Sequence, residues 1–162
     1  MKVVNCIGIA HLIGVIIENL YGFIFPHNIL FDKLYAISFI SIPFSWILFN
    51  DECIISYIVK RCNNPKYVLG TTPQIASDIP VIFTNPIVSY RMFHVNTLLR
   101  ITSICIVNGR TCHIPCGIFG PSILLYLAYV NDIEHEWNYR KICYPRFHVI
   151  AAVYFTWFLY SL

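Results

Sequence analysis

The chain has 162 residues, of which 57% are hydrophobic, 16% are aromatic and only 12% are charged. A soluble domain carries about 25% charged residues, so the composition argues against an ordinary water-soluble fold. The net charge of +3 is small and the basic residues are scattered, which argues against nucleic-acid binding. The lipid bilayer is therefore the predicted main partner of the chain.

Long apolar runs predict an all-α fold, a polytopic transmembrane helix bundle of about five spans. The predicted spans are residues 3–25, 34–59, 87–107, 114–130 and 147–162, which together form one integral membrane domain. Residues 61–86 form a polar loop with four prolines and no long apolar run. Four spans are the alternative, which applies if the third segment does not cross the bilayer.

The distribution of lysine and arginine predicts the orientation, because cytoplasmic loops are enriched in these residues. Five spans with a cytoplasmic N-terminus place the C-terminus on the opposite side and leave only Lys33 and Arg110 outside. The cytoplasmic side then collects the other loop cations, namely Lys2, Lys60, Arg61, Lys66, Arg140, Lys141 and Arg146.

Charged residues interrupt two of the apolar runs. Glu18 lies in the first span and Arg100 in the third, where an ionised side chain is costly unless it is paired inside the bundle. Both spans run from inside to outside, and Glu18 lies about fifteen residues and Arg100 about thirteen residues from the start of its span. At about 1.5 Å per residue the two depths match, which predicts a Glu18–Arg100 ion pair.

The same helices carry further polar residues at matching depths. His11 lies two turns before Glu18 on one face, and the depth of His94 in the third span matches that of His11. Asn96 and Ser103 form a stripe with Arg100. Gly8, Gly14 and Gly22 on or near the Glu18 face would allow a close approach of the helices. We name Glu18, Arg100, His11, His94 and Asn96 the polar seam.

The polar seam has three interpretations. It is a structural device that sets the packing of two helices, a path for protons or ions, or, through His11 and His94, a haem or metal site. Hydrogen-bonded core histidines are the expected alternative to ligation, and no metal site is predicted.

The pair Asp51 and Glu52 is the densest polar point on the second predicted span. Seventeen helical residues from Leu34 reach about 25 Å, so both carboxylates are expected at the inner edge of the bilayer. There they need no buried partner, and Tyr57 and Lys60 are expected among the headgroups.

Cys112 and Cys116 lie between the third and fourth spans, four residues apart. They are interpreted as a disulfide or redox pair at the outer side, or as small apolar side chains. The chain has no C-x-x-C motif and no nucleotide-binding or hydrolase motif, so no catalytic residue and no cofactor are predicted.

One segment resembles a known group of proteins. The stretch SWILFNDECIISY at 45–57 is followed by Lys60, Pro65, Tyr67, Leu69 and Gly70. This block is similar to uncharacterised small multi-pass membrane proteins of large DNA viruses of eukaryotes. The resemblance implies membrane residence and a viral source, and it suggests that residues 46–70 form one unit anchored by Tyr67. It carries over no site residue.

The leading functional hypothesis is a structural or interaction component of a membrane, which forms a homo-oligomer or binds other membrane proteins. The first alternative is a small oligomeric proton or ion channel that uses the polar seam. The second is a membrane thiol or haem redox protein. The chain is not predicted to be an enzyme.

Overall fold

The computed structural model describes residues 3–72, 86–135 and 145–162, and within these ranges the chain is helical and has no β-strand. The described helices are α1 (Val3–Ile24), α2 (Ile29–Leu48), α3 (Ile54–Asn63), α4 (Pro86–Val107), α5 (Cys116–His135) and α6 (Arg146–Tyr160). One turn of π-helix, Asn108–Cys112, follows α4 directly. The prediction of an all-α fold is confirmed for the described part of the chain.

The five long helices run alternately between two ends of the bundle. We call the end at which α1 begins the lower end and the opposite one the upper end. Asn19 of α1 contacts Asn96 of α4, and Gly22, farther along α1, contacts Ser103, farther along α4. These two helices are therefore parallel. Lys33 near the start of α2 contacts the last residue after α6, and Asp51 beyond α2 contacts His148 in α6. Helices α2 and α6 are therefore antiparallel.

The remaining helices complete this alternation. Tyr129 of α5 contacts Phe147 near the start of α6, whereas Phe119 contacts Phe158 near its end, so α5 and α6 are antiparallel. Thus α1, α4 and α6 run upward, and α2 and α5 run downward. The short helix α3 follows α2 at the lower end and contacts α1.

The structure corrects the second predicted span, which was expected to continue as one helix from 34 to 59. Helix α2 begins earlier, at Ile29, because the Asn28 side chain accepts a hydrogen bond from Phe31 N at 3.1 Å and caps the helix. It ends at Leu48, and Asn50 and Asp51 adopt positive φ angles of 51° and 66°. Asn and Asp tolerate this left-handed conformation better than other side chains, so the chain turns here and restarts as α3.

The outer surface of the bundle carries many exposed large apolar side chains. Every long helix exposes at least half of a large apolar side chain: Ile24 64%, Leu34 50%, Leu98 67%, Leu124 66% and Val153 55%. The interior combines an aromatic core with buried polar and charged groups, among them Asn19, Asp32, Glu52 and Ser103. Judged by both length and hydropathy, α2 is the described helix that qualifies as a membrane span, and Ile9–Ile24 of α1 is a shorter apolar stretch.

Gly22 is a point of close contact between α1 and α4. A Cβ atom at this position would lie 2.5 Å from the Ser103 carbonyl oxygen and 2.9 Å from its Cα. Gly14, which was also expected at this interface, is exposed, and a Cβ there would meet no atom within 4 Å. Only Gly22 of these two glycines is therefore required by the packing of α4.

We expect Gly22→Ala to destabilise the protein by about 1–3 kcal/mol, because backbone atoms of α4 would have to move away. The matched variant Gly14→Ala should be neutral or stabilising by up to about 1 kcal/mol, because alanine has the higher helix propensity. Thermal unfolding of both variants in the same detergent measures the difference. Equal shifts in Tm would contradict the close contact at Gly22.

Candidate functional site

The structure joins Glu18 and Arg100 in an ion pair, as their matched depths predicted. Each of the two side chains is 11% exposed. The neighbouring residues extend this contact between α1 and α4: Asn19 Nδ2 donates to Asn96 Oδ1 at 3.0 Å, and Gly22 N donates to Ser103 Oγ at 2.7 Å. The predicted stripe of Asn96, Arg100 and Ser103 therefore faces α1.

Aromatic side chains from α2 and α5 surround the Arg100 guanidinium. Its carbon lies 5.9 Å from the ring centroids of both Phe39 and Tyr126, and Nη1 donates to the Tyr126 hydroxyl at 3.4 Å. Such cation–π contacts are more stabilising when the cation is desolvated. Together with Tyr35, which is 6% exposed, Glu18, Arg100 and Tyr126 form what we call the central site.

The two histidines of the polar seam differ in exposure. His11 is half-buried and interacts electrostatically with Glu18, whereas His94 is exposed on α4. Because His94 is exposed, the two histidines do not form a buried pair of ligands. Among the described residues, no group of three or more His, Cys, Asp and Glu side chains is arranged to hold a metal ion.

A second buried ion pair, which the sequence did not predict, lies at the upper end. Asp32 is fully buried and accepts hydrogen bonds from Arg110 Nε at 2.8 Å and Arg110 Nη2 at 2.5 Å. The Tyr21 hydroxyl donates to it at 2.9 Å, and the Thr111 hydroxyl donates to its second oxygen. We call Asp32, Arg110, Thr111 and Tyr21 the upper site.

Arg110 also closes the end of α1. Its Nη1 donates to the carbonyl oxygens of Gly22 at 3.3 Å and Phe25 at 3.0 Å, which lie in the last turn of α1 and just beyond it. These carbonyls have no partner within the helix, so the arginine caps it. The hydrogen bonds to Asp32 raise the pKa of Arg110 still further, and its charge is permanent. The upper site thus ties α1, α2 and the π-helical turn together.

The structure corrects the prediction for Asp51 and Glu52 at the inner membrane edge. Glu52 is fully buried and pairs with Lys60, which is itself only 6% exposed. Lys60 also donates to the Thr72 carbonyl at 2.6 Å, so it does not lie among headgroups. Asp51 is half-buried and lies 3.3 Å from His148 Nε2. Both carboxylates therefore have partners inside the protein, because the chain turns back at Asn50.

Glu52 organises the segment that follows α3. Its Oε1 accepts from the Tyr67 hydroxyl at 2.9 Å, and its Oε2 accepts from Gly70 N at 2.8 Å. Gly70 has a φ of 80°, and a Cβ there would lie 2.8 Å from the Asn50 Cβ, so glycine is required. The described residues of the 46–70 block do form one unit with Tyr67 as an anchor. We call Glu52, Lys60, Tyr67 and Gly70 the lower site.

We expect Glu52→Ala to release the segment around Gly70, because the amide of Gly70 and the hydroxyl of Tyr67 lose their shared acceptor. A hydrogen bond to a charged group contributes about 1.5–3 kcal/mol, so amide exchange at Gly70 should accelerate about tenfold or more. Hydrogen–deuterium exchange followed by mass spectrometry measures this effect. Lys66→Ala, at an exposed position of the same segment, is the control and should leave the exchange unchanged. Unchanged protection in Glu52→Ala would contradict the anchoring role.

Cys112 and Cys116 are both free thiols in the structure, so they form no disulfide. Cys112 is half-buried and Cys116 is exposed. Burial raises the pKa of the Cys112 thiol, and the Asp32 carboxylate raises it further. Thiol chemistry requires the thiolate, so this environment disfavours Cys112 as a redox nucleophile.

No protein-family model matches the chain, and neither a curated protein nor a solved structure has significant similarity to it. In each site a buried carboxylate is paired with a cation and accepts a hydrogen bond from it. Such an arrangement fixes the relative position of helices and neutralises their charges.

Proposed function

We propose that the chain is an integral membrane protein whose five long helices cross the bilayer, and that it acts as a non-enzymatic structural or interaction component of the membrane. The observation that carries this proposal is the exposure of large apolar side chains on all five long helices. Apolar side chains on all five long helices face outward, while the ionised groups of α1 and α2 are paired inside. This distribution suits lipid as the surrounding solvent.

We further propose that the lower end faces the cytoplasm. Arg61, Lys66 and Arg146 are exposed there. At the upper end, by contrast, the described lysine and arginine residues are Lys33 and Arg110, and Arg110 is paired with Asp32. The excess of lysine and arginine at the lower end follows the positive-inside rule. The resemblance of the 46–70 block supports a viral source for this membrane protein.

The thiols of Cys62 and Cys116 test this arrangement, because both are exposed and lie at opposite ends of the bundle. In single-cysteine variants expressed in cells, a membrane-impermeant maleimide should label Cys116 from outside and Cys62 only after permeabilisation. Labelling after detergent solubilisation controls for the reactivity of each thiol. Labelling of both thiols from the same side of intact cells, or release of the protein by alkaline washing of membranes, would refute the five-span arrangement.

Proton conduction through the bundle is the second candidate function. It is favoured by the buried carboxylate of Glu18, one oxygen of which has no hydrogen-bond partner among the described residues. Purified protein in liposomes with a pH-sensitive dye inside tests this function. Conduction predicts a proton flux that Glu18→Gln abolishes and that Glu52→Gln, at the lower site, retains. Flux no greater than that of empty liposomes removes this candidate.

A further inference from the structure

Three buried polar atoms of the central site have no hydrogen-bond partner among the described residues. They are Glu18 Oε1, Arg100 Nε and the Tyr35 hydroxyl oxygen. Other polar atoms of Glu18 and Arg100 do form hydrogen bonds. Glu18 Oε2 accepts from Arg100 Nη2, and Arg100 Nη1 donates to the Tyr126 hydroxyl. Buried polar atoms without a partner are rare in folded proteins, and ordered water commonly satisfies them.

The three atoms belong to one place in the bundle. Glu18 and Arg100 are directly paired, and the Tyr35 hydroxyl interacts electrostatically with both charges. The Ser103 hydroxyl, which accepts from Gly22 N at 2.7 Å, lies near the Tyr35 hydroxyl, but the two do not meet hydrogen-bonding geometry. The ring of Tyr35 stacks on that of Tyr21, with centroids 4.5 Å apart, and this contact fixes the direction of its hydroxyl.

We propose that Glu18, Arg100 and Tyr35 form a binding site for an internal water molecule. The chemistry of the three atoms identifies the ligand. Arg100 Nε–H needs an acceptor and the Glu18 carboxylate oxygen needs a donor, while the Tyr35 hydroxyl can serve as either. Water is the smallest molecule that meets all three needs. The paired charges of Glu18 and Arg100 cancel, so the site favours a neutral ligand over an ion.

The water site predicts the direction in which Tyr35→Phe changes the Tm. If the Tyr35 hydroxyl were truly unsatisfied, Tyr35→Phe would remove a buried polar group without a partner and would leave the Tm unchanged or raise it. If the hydroxyl holds the water, the same change removes one of its three partners. The Tm should then fall by several degrees. This inference concerns the interior of the bundle and does not depend on membrane crossing or on proton flux.

The experiment compares thermal unfolding of Tyr35→Phe with that of Tyr160→Phe, whose side chain is 89% exposed. We expect a lower Tm for Tyr35→Phe and no shift for Tyr160→Phe. A Tm for Tyr35→Phe at or above that of the wild-type protein overturns the proposal. An experimental wild-type structure at a resolution that shows ordered water supplies the direct test, which holds even if the variant fails to fold. Water within hydrogen-bonding distance of at least two of the three atoms supports the site, and a dry site overturns it.

Discussion

Glu18→Met is expected to destabilise the protein more than Arg100→Met, and the double variant is expected to recover most of the loss. Each single change removes one partner of a buried ion pair, which typically costs about 3–5 kcal/mol. The charged group that remains differs between the two single variants. The Glu18 carboxyl group left by Arg100→Met can bind a proton and become neutral, whereas the Arg100 guanidinium left by Glu18→Met stays charged. The larger loss therefore belongs to Glu18→Met.

The double variant separates charge pairing from packing. With both charges gone, methionine side chains of similar length fill the interior, and replacement of a buried pair by apolar residues is often neutral or stabilising. Denaturant unfolding of the four proteins in one detergent provides a double-mutant cycle. A double variant that is as unstable as the sum of the two single variants would show that Glu18 and Arg100 contribute independently. That result would contradict the pairing.

Simple helix geometry was sufficient to predict the central pair. The positions of Glu18 and Arg100 along two upward spans, together with the helical rise, gave the same depth, and the structure joins them. The stripe of Asn96 and Ser103 followed from the same periodicity. The aromatic surroundings of Arg100 were beyond this reasoning, because Phe39 and Tyr126 come from helices whose packing order the sequence does not specify.

The other two sites were missed for different physical reasons. Asp32 and Arg110 were both assigned to short outer loops, and the extra turn of α2 that buries Asp32 depends on the Asn28 cap. An aspartate four residues after a capping asparagine was the available signal. A continuous second span predicts Glu52 at a membrane edge. The left-handed residues Asn50 and Asp51 reverse the chain there, which brings Lys60 to Glu52.

Asp32→Ala is expected to cause the largest loss of stability at the upper end, because it removes the acceptor of several hydrogen bonds to a charged group, each worth about 1.5–3 kcal/mol, and leaves the half-buried Arg110 guanidinium without its carboxylate. The Asp32 carboxylate accepts four hydrogen bonds from three side chains. The loss should extend to the last turn of α1, since Arg110 would no longer be held against the carbonyls of Gly22 and Phe25. Faster amide exchange in the π-helical turn should accompany the lower Tm.

Graded variants of the upper site test whether Asp32 is its organising group. Tyr21→Phe removes one hydrogen bond to a charged acceptor and should cost about 1.5–3 kcal/mol. Arg110→Lys keeps the charge but loses the planar fork that bonds both carboxylate oxygens and the α1 carbonyls, so its cost should exceed that of Tyr21→Phe. Lys66→Ala, exposed at the other end, is the control and should leave the Tm unchanged. If Arg110→Lys matched the wild-type Tm, charge alone would suffice, and the fork geometry would not be what ties α1 to α2. If Asp32→Ala cost no more than Tyr21→Phe, the buried carboxylate would not be the centre of the upper site.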